Sequence, residues 1–143
     1  MNLTDTVRID APVDVVWQLT ADIANWPAWT PTMTSVQRLD DGPLHVGSQA
    51  RIKQPGQRPA AWTVTRVDPG HEFSWQTGRF GLTMVATHRL AASGTGCRNT
   101  LELQVTGPLA GLLGWLIRPA ARRALRIENA GFKTQAERRT STA

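Results

Sequence analysis

The sequence predicts an α+β fold in which a curved, seven-stranded antiparallel sheet is covered by one long C-terminal helix, with two short helices after the first strand. Apolar and polar residues alternate with a period of two through the middle of the chain. Segments rich in Gly, Pro and Asp divide this part into short strands, as expected for hairpins. After Pro108 the apolar residues recur every three or four positions, which is the spacing of a helix.

The first elements are a strand and two short helices. Val7 and Ile9 alternate with polar neighbours, which predicts a strand. The segment APVDVVWQLTAD predicts a helix, because Pro12 fits a first helical turn and Asp14 is favourable near the positive end of the helix dipole. The segment DIANWPAW predicts a second, shorter helix, which we expect Asp22 to cap.

Six further strands are predicted between residues 32 and 106. Each is short and rich in β-branched or aromatic residues, and turns such as DDGP, DPG and ASGTG separate them. The predicted strands are TSVQRLD, GSQARIKQ, AAWTVTRVD, HEFSWQT, LTMVATHRLA and RNTLELQVT. With the first strand they form a sheet that has one apolar face, and the last helix is the only element large enough to cover it.

The last helix carries the longest apolar run of the chain, LAGLLGWLI at residues 109–117. A run of this length is about half of what a transmembrane helix needs, so we expect it to form a buried helix face. Pro119 should kink the helix near its middle. We place one domain at residues 1–138 and a polar C-terminal tail at residues 139–143.

Composition and motifs exclude several classes of protein. The chain has 143 residues, of which 41% are hydrophobic and 19% charged, as in a single globular domain. Cys97 is its only cysteine, so neither an intrachain disulfide nor a cysteine metal cluster is expected. The N-terminus lacks the pattern of a signal peptide, which favours the cytoplasm. Since the motifs HExxH, GxSxG, GxxxxGK and GxGxxG are all missing, we expect no metal and no cofactor, and no catalytic residue is assigned.

The chain is basic, with sixteen Lys and Arg against eleven Asp and Glu, and fourteen of the sixteen are arginine. Four arginines lie close together in the last helix, at Arg118, Arg122, Arg123 and Arg126. Such a helix can attract nucleic acid or anionic lipid, but no aromatic platform for base stacking is interleaved with these arginines. We therefore favour a solvated basic face, with weak and salt-sensitive binding to DNA or anionic vesicles, no nucleic-acid partner and no membrane span.

Several segments together show the pattern of a known superfamily. They are VRIDAPVDVVWQLTADIANWPAWTP, GSQARI, WTVTRVDPGHEFSW, THRL, GTGCRNTLEL and TGPL, followed by an amphipathic helix, and they cover almost the whole chain. In these segments the chain resembles the START-like or polyketide cyclase/dehydrase superfamily, called SRPBCC. The resemblance implies a helix-grip, Bet v 1-like fold in which the sheet wraps the last helix and leaves a deep hydrophobic cavity. The members include lipid carriers, hormone receptors, ring-closing enzymes and quinone-binding proteins, so the resemblance indicates the fold and leaves the function open.

His88 shares a predicted strand face with apolar residues. The period of two in GLTMVATHRLA places Leu82, Met84, Ala86 and His88 on the same side. On that face a histidine can orient a ligand, transfer a proton, or be a satisfied core residue. We expect it to be neutral at pH 7, donating one hydrogen bond and accepting another, because burial disfavours the imidazolium.

Glu128 is the carboxylate that can reach such a cavity. Leu125 lies three residues before it and Phe132 four residues after it, so all three face the sheet if the Pro119 kink rotates the helix. The alternative, which we favour, is an exposed Glu128 that pairs with neighbouring arginines.

Tryptophan is abundant, since the chain has six Trp and no Tyr. Trp62 is in step with Val64, and Trp75 with Phe73, which places both indoles on the concave side of the sheet. There they either line a pocket for a planar ligand or fill the core. Trp29, which lies between Pro27 and Pro31, either forms part of the cavity entrance or packs the short helices onto the sheet.

The residues support three hypotheses for function. We favour a small-molecule binding protein whose internal hydrophobic cavity takes a lipid-like, aromatic or polyketide-like ligand. The second hypothesis is an aromatase/cyclase or dehydratase that works without metal and moves protons through His88, with Glu128 as its partner. The third is an accessory protein that docks on a membrane or a quinone-dependent complex. The sequence does not identify the ligand, and it leaves the oligomeric state open, with a homodimer as one possibility. The candidate ligand-binding residues are Trp29, Trp62, Trp75, Met84, His88 and Glu128.

Overall fold

The computed structural model describes residues 1–141. Across these residues a first strand is followed by two short helices, six more strands and one long helix, which confirms the predicted α+β fold. The elements are β1 (Asn2–Ile9), α1 (Val13–Ala21), a 3₁₀ helix (Ile23–Ala28), β2 (Ser35–Arg38), β3 (Gln49–Lys53), β4 (Ala60–Asp68), β5 (Glu72–Arg79), β6 (Leu82–Ser93), β7 (Gly96–Thr106) and α2 (Ala110–Ser141).

The strands form one antiparallel sheet in the order β1-β7-β6-β5-β4-β3-β2. Strands β2 to β7 are therefore a meander, and β1 pairs with β7 at the far edge. The long strands β6 and β7 pair along their length, which sets His88 opposite Leu101. A bulge between Val64 and Arg66 in β4 shifts the register against β5, and such bulges increase the local twist that curves a sheet.

The second half of α2 packs against the concave face of the sheet. Its buried residues include Glu128 and Phe132, which are four positions apart and therefore lie on one side of the helix. Beside them, the amide nitrogen of Asn129 donates to the carbonyl and carboxylate oxygens of Asp5 in β1, at 3.0 and 2.8 Å. Its amide oxygen accepts a hydrogen bond from Asn99 in β7 at 2.8 Å. These bonds fix the position of the helix along the sheet.

The first half of α2 differs from the sequence prediction. The expected buried face at residues 109–117 is wrong, because Leu112, Trp115 and Leu116 are 64%, 71% and 58% exposed. The run is apolar on every side of the helix, and only the side that carries Leu113 and Ile117 is partly buried. The other large side chains of the run point to solvent.

The end of α2 and the start of the 3₁₀ helix complete the fold. Helix α2 runs through Pro119 and continues to Ser141, so the predicted tail from residue 139 is helical up to that point, and residues 142 and 143 lie outside the described part. Basic residues in this last turn are favourable because they face the negative end of the helix dipole. Asp22 precedes the 3₁₀ helix, but its carboxylate accepts from the side chain of Asn25 at 2.7 Å instead of capping a backbone N–H.

Candidate functional site

A cavity of about 610 Å³ lies between the concave face of the sheet and the first half of α2. The sheet supplies mostly apolar side chains, among them Ile52 and Leu82. The helix supplies small ones at Ala120, Ala121 and Ala124. Because these methyl groups are too short to reach the sheet, the space between helix and sheet is not filled at this end.

The alternation of β6 sets one row of side chains along the cavity, on the face that the period-two pattern predicts. The residues of this row are Leu82, Met84, Ala86 and His88. Ala86 is paired with Trp75 of the neighbouring strand β5, so its small side chain leaves room in front of the indole. Trp62 from β4 lies beside Trp75, with 5.4 Å between the ring centroids, and both indoles line the cavity.

An aromatic cluster closes the inner end of the cavity. Its centre is Trp26, which is fully buried in the 3₁₀ helix. The ring centroid of Trp26 lies 5.5 Å from that of Trp75 and 5.7 Å from that of Phe132. The indole N–H donates to the carbonyl of Leu19 at 3.0 Å, which satisfies the one polar atom of the side chain. The cluster therefore joins the 3₁₀ helix, the sheet and α2 at one point.

His88 stands where the cavity meets this cluster. It is 3% exposed, and its ring stacks on Phe73 with 4.9 Å between the centroids. Its Nε2 lies 3.7 Å from a carboxylate oxygen of Glu128, and its Nδ1 is buried without a hydrogen-bond partner among residues 1–141. Burial lowers the pKa of His88 to about 3, so the imidazole is neutral at pH 7 as expected. The two expected hydrogen bonds are not formed within the described chain.

Glu128 reaches the same point from α2. It is 8% exposed and lines the cavity. The exposed, arginine-paired Glu128 that the sequence favoured is therefore wrong, because α2 turns the residue to the side of Ala124 and Phe132, four positions away in either direction. Burial raises the pKa of Glu128 to about 7, and hydrogen bonding by the Thr32 side chain lowers this pKa only in part. Below that pH the group is a neutral carboxylic acid.

The two side chains form an acid–base pair inside an apolar cavity. Their separation of 3.7 Å is longer than a hydrogen bond, so neither group satisfies the other. A protonated Glu128 offers one O–H donor, while a neutral His88 offers one N–H donor and one acceptor nitrogen. This arrangement can bind a carbonyl or hydroxyl group of a ligand, or exchange a proton with it, near neutral pH.

The predicted ligand-binding residues divide into two groups. Those that line the cavity are Trp62, Trp75, Met84, His88 and Glu128. Among the described residues, Trp29 is not part of this lining. Its ring packs on Phe132 with 4.4 Å between the centroids, and a Cβ added to Gly131 would lie 2.8 Å from the Trp29 carbonyl oxygen. Trp29 is thus a packing residue, which was the alternative to an entrance residue, and its ring lies next to Trp26 of the 3₁₀ helix as well as Phe132 of α2.

The cavity opens between the β3–β4 loop, the β5–β6 turn and the first half of α2, where its most exposed lining residues lie. Arg79 joins two of these segments, since its guanidinium donates to the carbonyls of Arg58 at 3.2 Å and Pro59 at 2.8 Å. Phe80, in the turn, is 75% exposed. Sequence reasoning did not identify Arg79 and Phe80, because turn residues show no periodicity from which the direction of a side chain can be predicted. Within residues 1–141, no three His, Cys, Asp or Glu side chains come together as a metal site.

Many solved structures share the fold of this chain. A protein from Thermus thermophilus matches with a TM-score of 0.76 at 16% identity, covering 95% of this chain and 97% of that one. The di-domain ARO/CYC StfQ from the steffimycin biosynthetic pathway matches with a TM-score of 0.81 at 13% identity, covering 98% of this chain and 52% of that one. Ara h 8.0201 matches with a TM-score of 0.66 at 10% identity, covering 92% and 97%. At these identities the likeness shows the fold alone.

Sequence comparison gives the family. No curated protein matches the chain significantly. The family model described as polyketide cyclase / dehydrase and lipid transport, however, matches residues 1–137, nearly the whole chain. This match agrees with the SRPBCC-type pattern of the sequence and with the helix-grip arrangement of sheet and helix. The chain therefore belongs to the polyketide cyclase/dehydrase and lipid transport family.

Proposed function

We propose that this protein binds one apolar small molecule, lipid-like or aromatic, inside the cavity. The observation that carries the proposal is a cavity of about 610 Å³ that is lined mainly by apolar residues and has the polar pair His88 and Glu128 at its inner end. Small-molecule sites commonly have this composition, because apolar walls supply affinity and a few polar groups fix the orientation. The volume lies within the range of roughly 300–1,000 Å³ that is usual for drug-sized ligands.

The polar pair indicates what the ligand carries at its inner end. His88 Nδ1 has no partner among the described residues, and Nε2 is too far from Glu128 for a hydrogen bond. Buried polar atoms without partners are costly, so a ligand that pairs with them gains binding free energy. A carbonyl or hydroxyl oxygen accepts a hydrogen bond from protonated Glu128. We infer an extended apolar or fused-ring molecule with an oxygen at this end.

The relatives support this ligand class. The family description names polyketide cyclase/dehydrase and lipid transport, and StfQ comes from the steffimycin biosynthetic pathway. Polyketides and lipids are largely apolar molecules with oxygen substituents. Such molecules suit apolar walls together with one polar pair.

Filling the cavity tests the proposal. Ala124 lines the cavity, whereas Ala130 on the same helix is exposed. We expect Ala124→Phe to weaken binding of the apolar dye N-phenyl-1-naphthylamine about tenfold or more, because the new ring occupies the ligand volume. Ala130→Phe is the matched control and should bind the dye as the unsubstituted protein does. Equal affinity in the two folded variants would rule out the cavity as the site.

Two further measurements identify the ligand and its contacts. Native mass spectrometry of the purified protein should reveal a co-purifying apolar molecule and its mass. A bound probe should also quench or shift the emission of Trp62 and Trp75, since both line the cavity. Trp62→Ala should weaken dye binding while costing at most about 3–5 kcal/mol of stability. Unchanged dye affinity in this variant, if it folds, would exclude a lining role for Trp62.

A proton-transfer enzyme is the second candidate, and the His88–Glu128 pair is the observation that favours it. A carboxylic acid with a pKa of about 7 beside a neutral imidazole is suited to exchange protons at neutral pH. Ring closure or dehydration of a polyketide-like substrate needs such exchange. If the co-purified molecule is converted by the unsubstituted protein but only bound by Glu128→Gln or His88→Gln, the enzyme is supported. If the unsubstituted protein binds it without conversion, the binding role stands.

A further inference from the structure

An apolar patch lies on the surface at the start of α2 and in the β5–β6 turn. Its side chains are large, and each is between 48% and 75% exposed. The exposed apolar patch consists of Phe80, Leu109, Leu112, Trp115 and Leu116. The spacing of Leu112, Trp115 and Leu116 by three and four residues sets them side by side on the helix. Contiguous apolar surface of this kind marks interaction sites in proteins.

The turn and the helix meet within this patch. A Cβ added to Gly81, the residue after Phe80, would lie 3.8 Å from Cδ1 of Leu109, so the two parts of the patch are neighbours. Phe80 also lines the cavity, as do Ile117 and Ala120 farther along α2. The exposed apolar patch is therefore continuous with the mouth of the cavity.

The surface beside the patch is basic. The segments that frame the mouth, residues 42–67, 73–101 and 103–127, contain no Asp or Glu. Glu102, between two of these segments, pairs with Arg89. These segments carry several exposed arginines beside the patch and the mouth. They include Arg58, Arg118, Arg122, Arg123 and Arg126. The apolar side chains are thus bordered by positive charge that no neighbouring carboxylate in these segments offsets.

We propose that the exposed apolar patch docks on an anionic lipid bilayer, with the first half of α2 lying along the membrane surface and the cavity mouth turned toward the lipid. Trp and Leu side chains of such a helix enter the boundary between headgroups and acyl chains. Arginines beside them bind the anionic headgroups. Within residues 1–141, no helix combines the length and apolar character that crossing a membrane requires.

Charge complementarity favours a bilayer over a second copy of the chain. Two copies that met patch to patch would bring like charges together, which opposes association. An anionic bilayer offers the opposite charge and an apolar interior in one surface. The sequence alone favoured weak vesicle binding through a solvated basic face. The exposure of Leu112, Trp115 and Leu116 adds an apolar contribution that this expectation lacked.

Vesicle flotation tests the docking surface with the full chain. We expect binding to phosphatidylcholine vesicles that contain about 30% phosphatidylglycerol, much weaker binding to pure phosphatidylcholine, and loss of binding at about 0.5 M NaCl. Trp115→Ala combined with Leu116→Ala should weaken binding about tenfold or more, because both side chains enter the lipid. The matched control combines Leu39→Ala with Val46→Ala, two residues that are 47% and 62% exposed at the other end of β3. It should bind like the unsubstituted protein.

A second pair of variants tests the charges. Arg118→Gln combined with Arg122→Gln should weaken binding to the anionic vesicles and reduce its dependence on salt. The matched control combines Arg51→Gln with Arg98→Gln, which are exposed positions on β3 and β7. It should change neither the binding to anionic vesicles nor the dependence of this binding on salt.

Three results would overturn the proposal. The first is no binding of the unsubstituted protein to anionic vesicles at low salt. The second is equal binding by the Trp115/Leu116 and Leu39/Val46 variants. The third is a dimer in sedimentation experiments without lipid that the Trp115/Leu116 substitutions abolish, since this would assign the patch to a second copy. None of these results depends on whether the cavity holds a ligand, so docking and ligand binding are tested separately.

Discussion

The two halves of α2 differ in a way that their composition does not suggest. The first half, residues 110–127, is the more apolar, yet Gly114 is the only buried residue in this range. The second half, residues 128–141, is rich in polar and charged residues. Its buried residues are Glu128, Asn129, Phe132 and Ala136. The more apolar half of the helix is therefore the more exposed half.

This difference teaches that contact with the sheet, and not hydrophobic content, decides which half is buried. In the second half one large side chain, Phe132, fills the gap to the aromatic cluster, and Asn129 ties the helix to β1 and β7. In the first half the inward side carries alanines, so the gap stays open as a cavity. We expect the second half to determine stability and the first half to determine what the protein binds.

The largest expected effect sharpens this contrast through two truncations. Phe132→Ala should lower the free energy of unfolding by about 3–5 kcal/mol, because it removes a fully buried ring from the cluster around Trp26. Leu116→Ala should change it by less than about 0.5 kcal/mol, because that side chain is 58% exposed. Urea unfolding of both variants measures the two values. Similar losses of unfolding free energy in both variants would mean that the first half of α2 contributes as much to stability as the second half.

The next effect concerns the buried carboxylate at the junction of the two halves. Burial raises the pKa of Glu128 from 4.5 to about 7, so its contribution to stability is present below pH 4.5 and is lost as the pH rises through 7. Burial lowers the pKa of His88 from 6.5 to about 3, so its contribution is present above pH 6.5 and is lost as the pH falls toward 3. The two dependences oppose each other in the unsubstituted protein.

The substitution Glu128→Gln separates the pH dependence that Glu128 causes from the one that His88 causes. Relative to the unsubstituted protein, this variant should gain roughly 2–3 kcal/mol of unfolding free energy between pH 5 and pH 8, because its amide stays neutral. Urea unfolding at the two pH values measures the gain. Glu102→Gln in β7, where the carboxylate is paired with Arg89, is the control and should show no such gain. A gain of equal size in both variants would refute a buried, protonated Glu128.

Much of the fold could be predicted because it depends on local patterns. The period of two in β6 predicts that the side chains of Met84 and His88 lie on the same face of the sheet, and this prediction needs no knowledge of any other strand. The burial of α2 could not be predicted in the same way. Residues 109–117 are apolar all round, so the pattern does not say which side meets the sheet, and in the structure most of the run meets solvent.

The candidate site could be predicted only where strands form it. Trp62, Trp75 and His88 lie on strands, and their places along the cavity follow from alternation. Glu128 meets His88 across the molecule, and Trp29 meets α2 at Gly131, so both placements depend on contacts between residues far apart in the chain. Neither contact leaves a local pattern, which is why the preferred placement of Glu128 was wrong.

Two glycines of α2 extend the comparison to the backbone. In the second half, a Cβ on Gly131 would lie 2.8 Å from the Trp29 carbonyl oxygen and 2.9 Å from its ring. Gly131→Ala should therefore lower the unfolding free energy by about 1–2 kcal/mol, since overpacking outweighs the gain in helix propensity. Thermal or urea unfolding measures the loss. A variant as stable as the unsubstituted protein would show that the segment around Trp29 can move to accommodate the added methyl group without a loss of unfolding free energy.

The smallest effect should have the opposite sign. In the first half, a Cβ on Gly111 would meet no atom within 4 Å, and the residue lies in the first turn of α2. Gly111→Ala should therefore raise the unfolding free energy by about 0.5–1 kcal/mol, because alanine restricts the unfolded chain and favours the helix without a steric penalty. The same unfolding measurement as for Gly131→Ala gives the value. If Gly111→Ala instead destabilises the protein, the first half of α2 is packed against something that this position does not tolerate, and the contrast between the two halves fails.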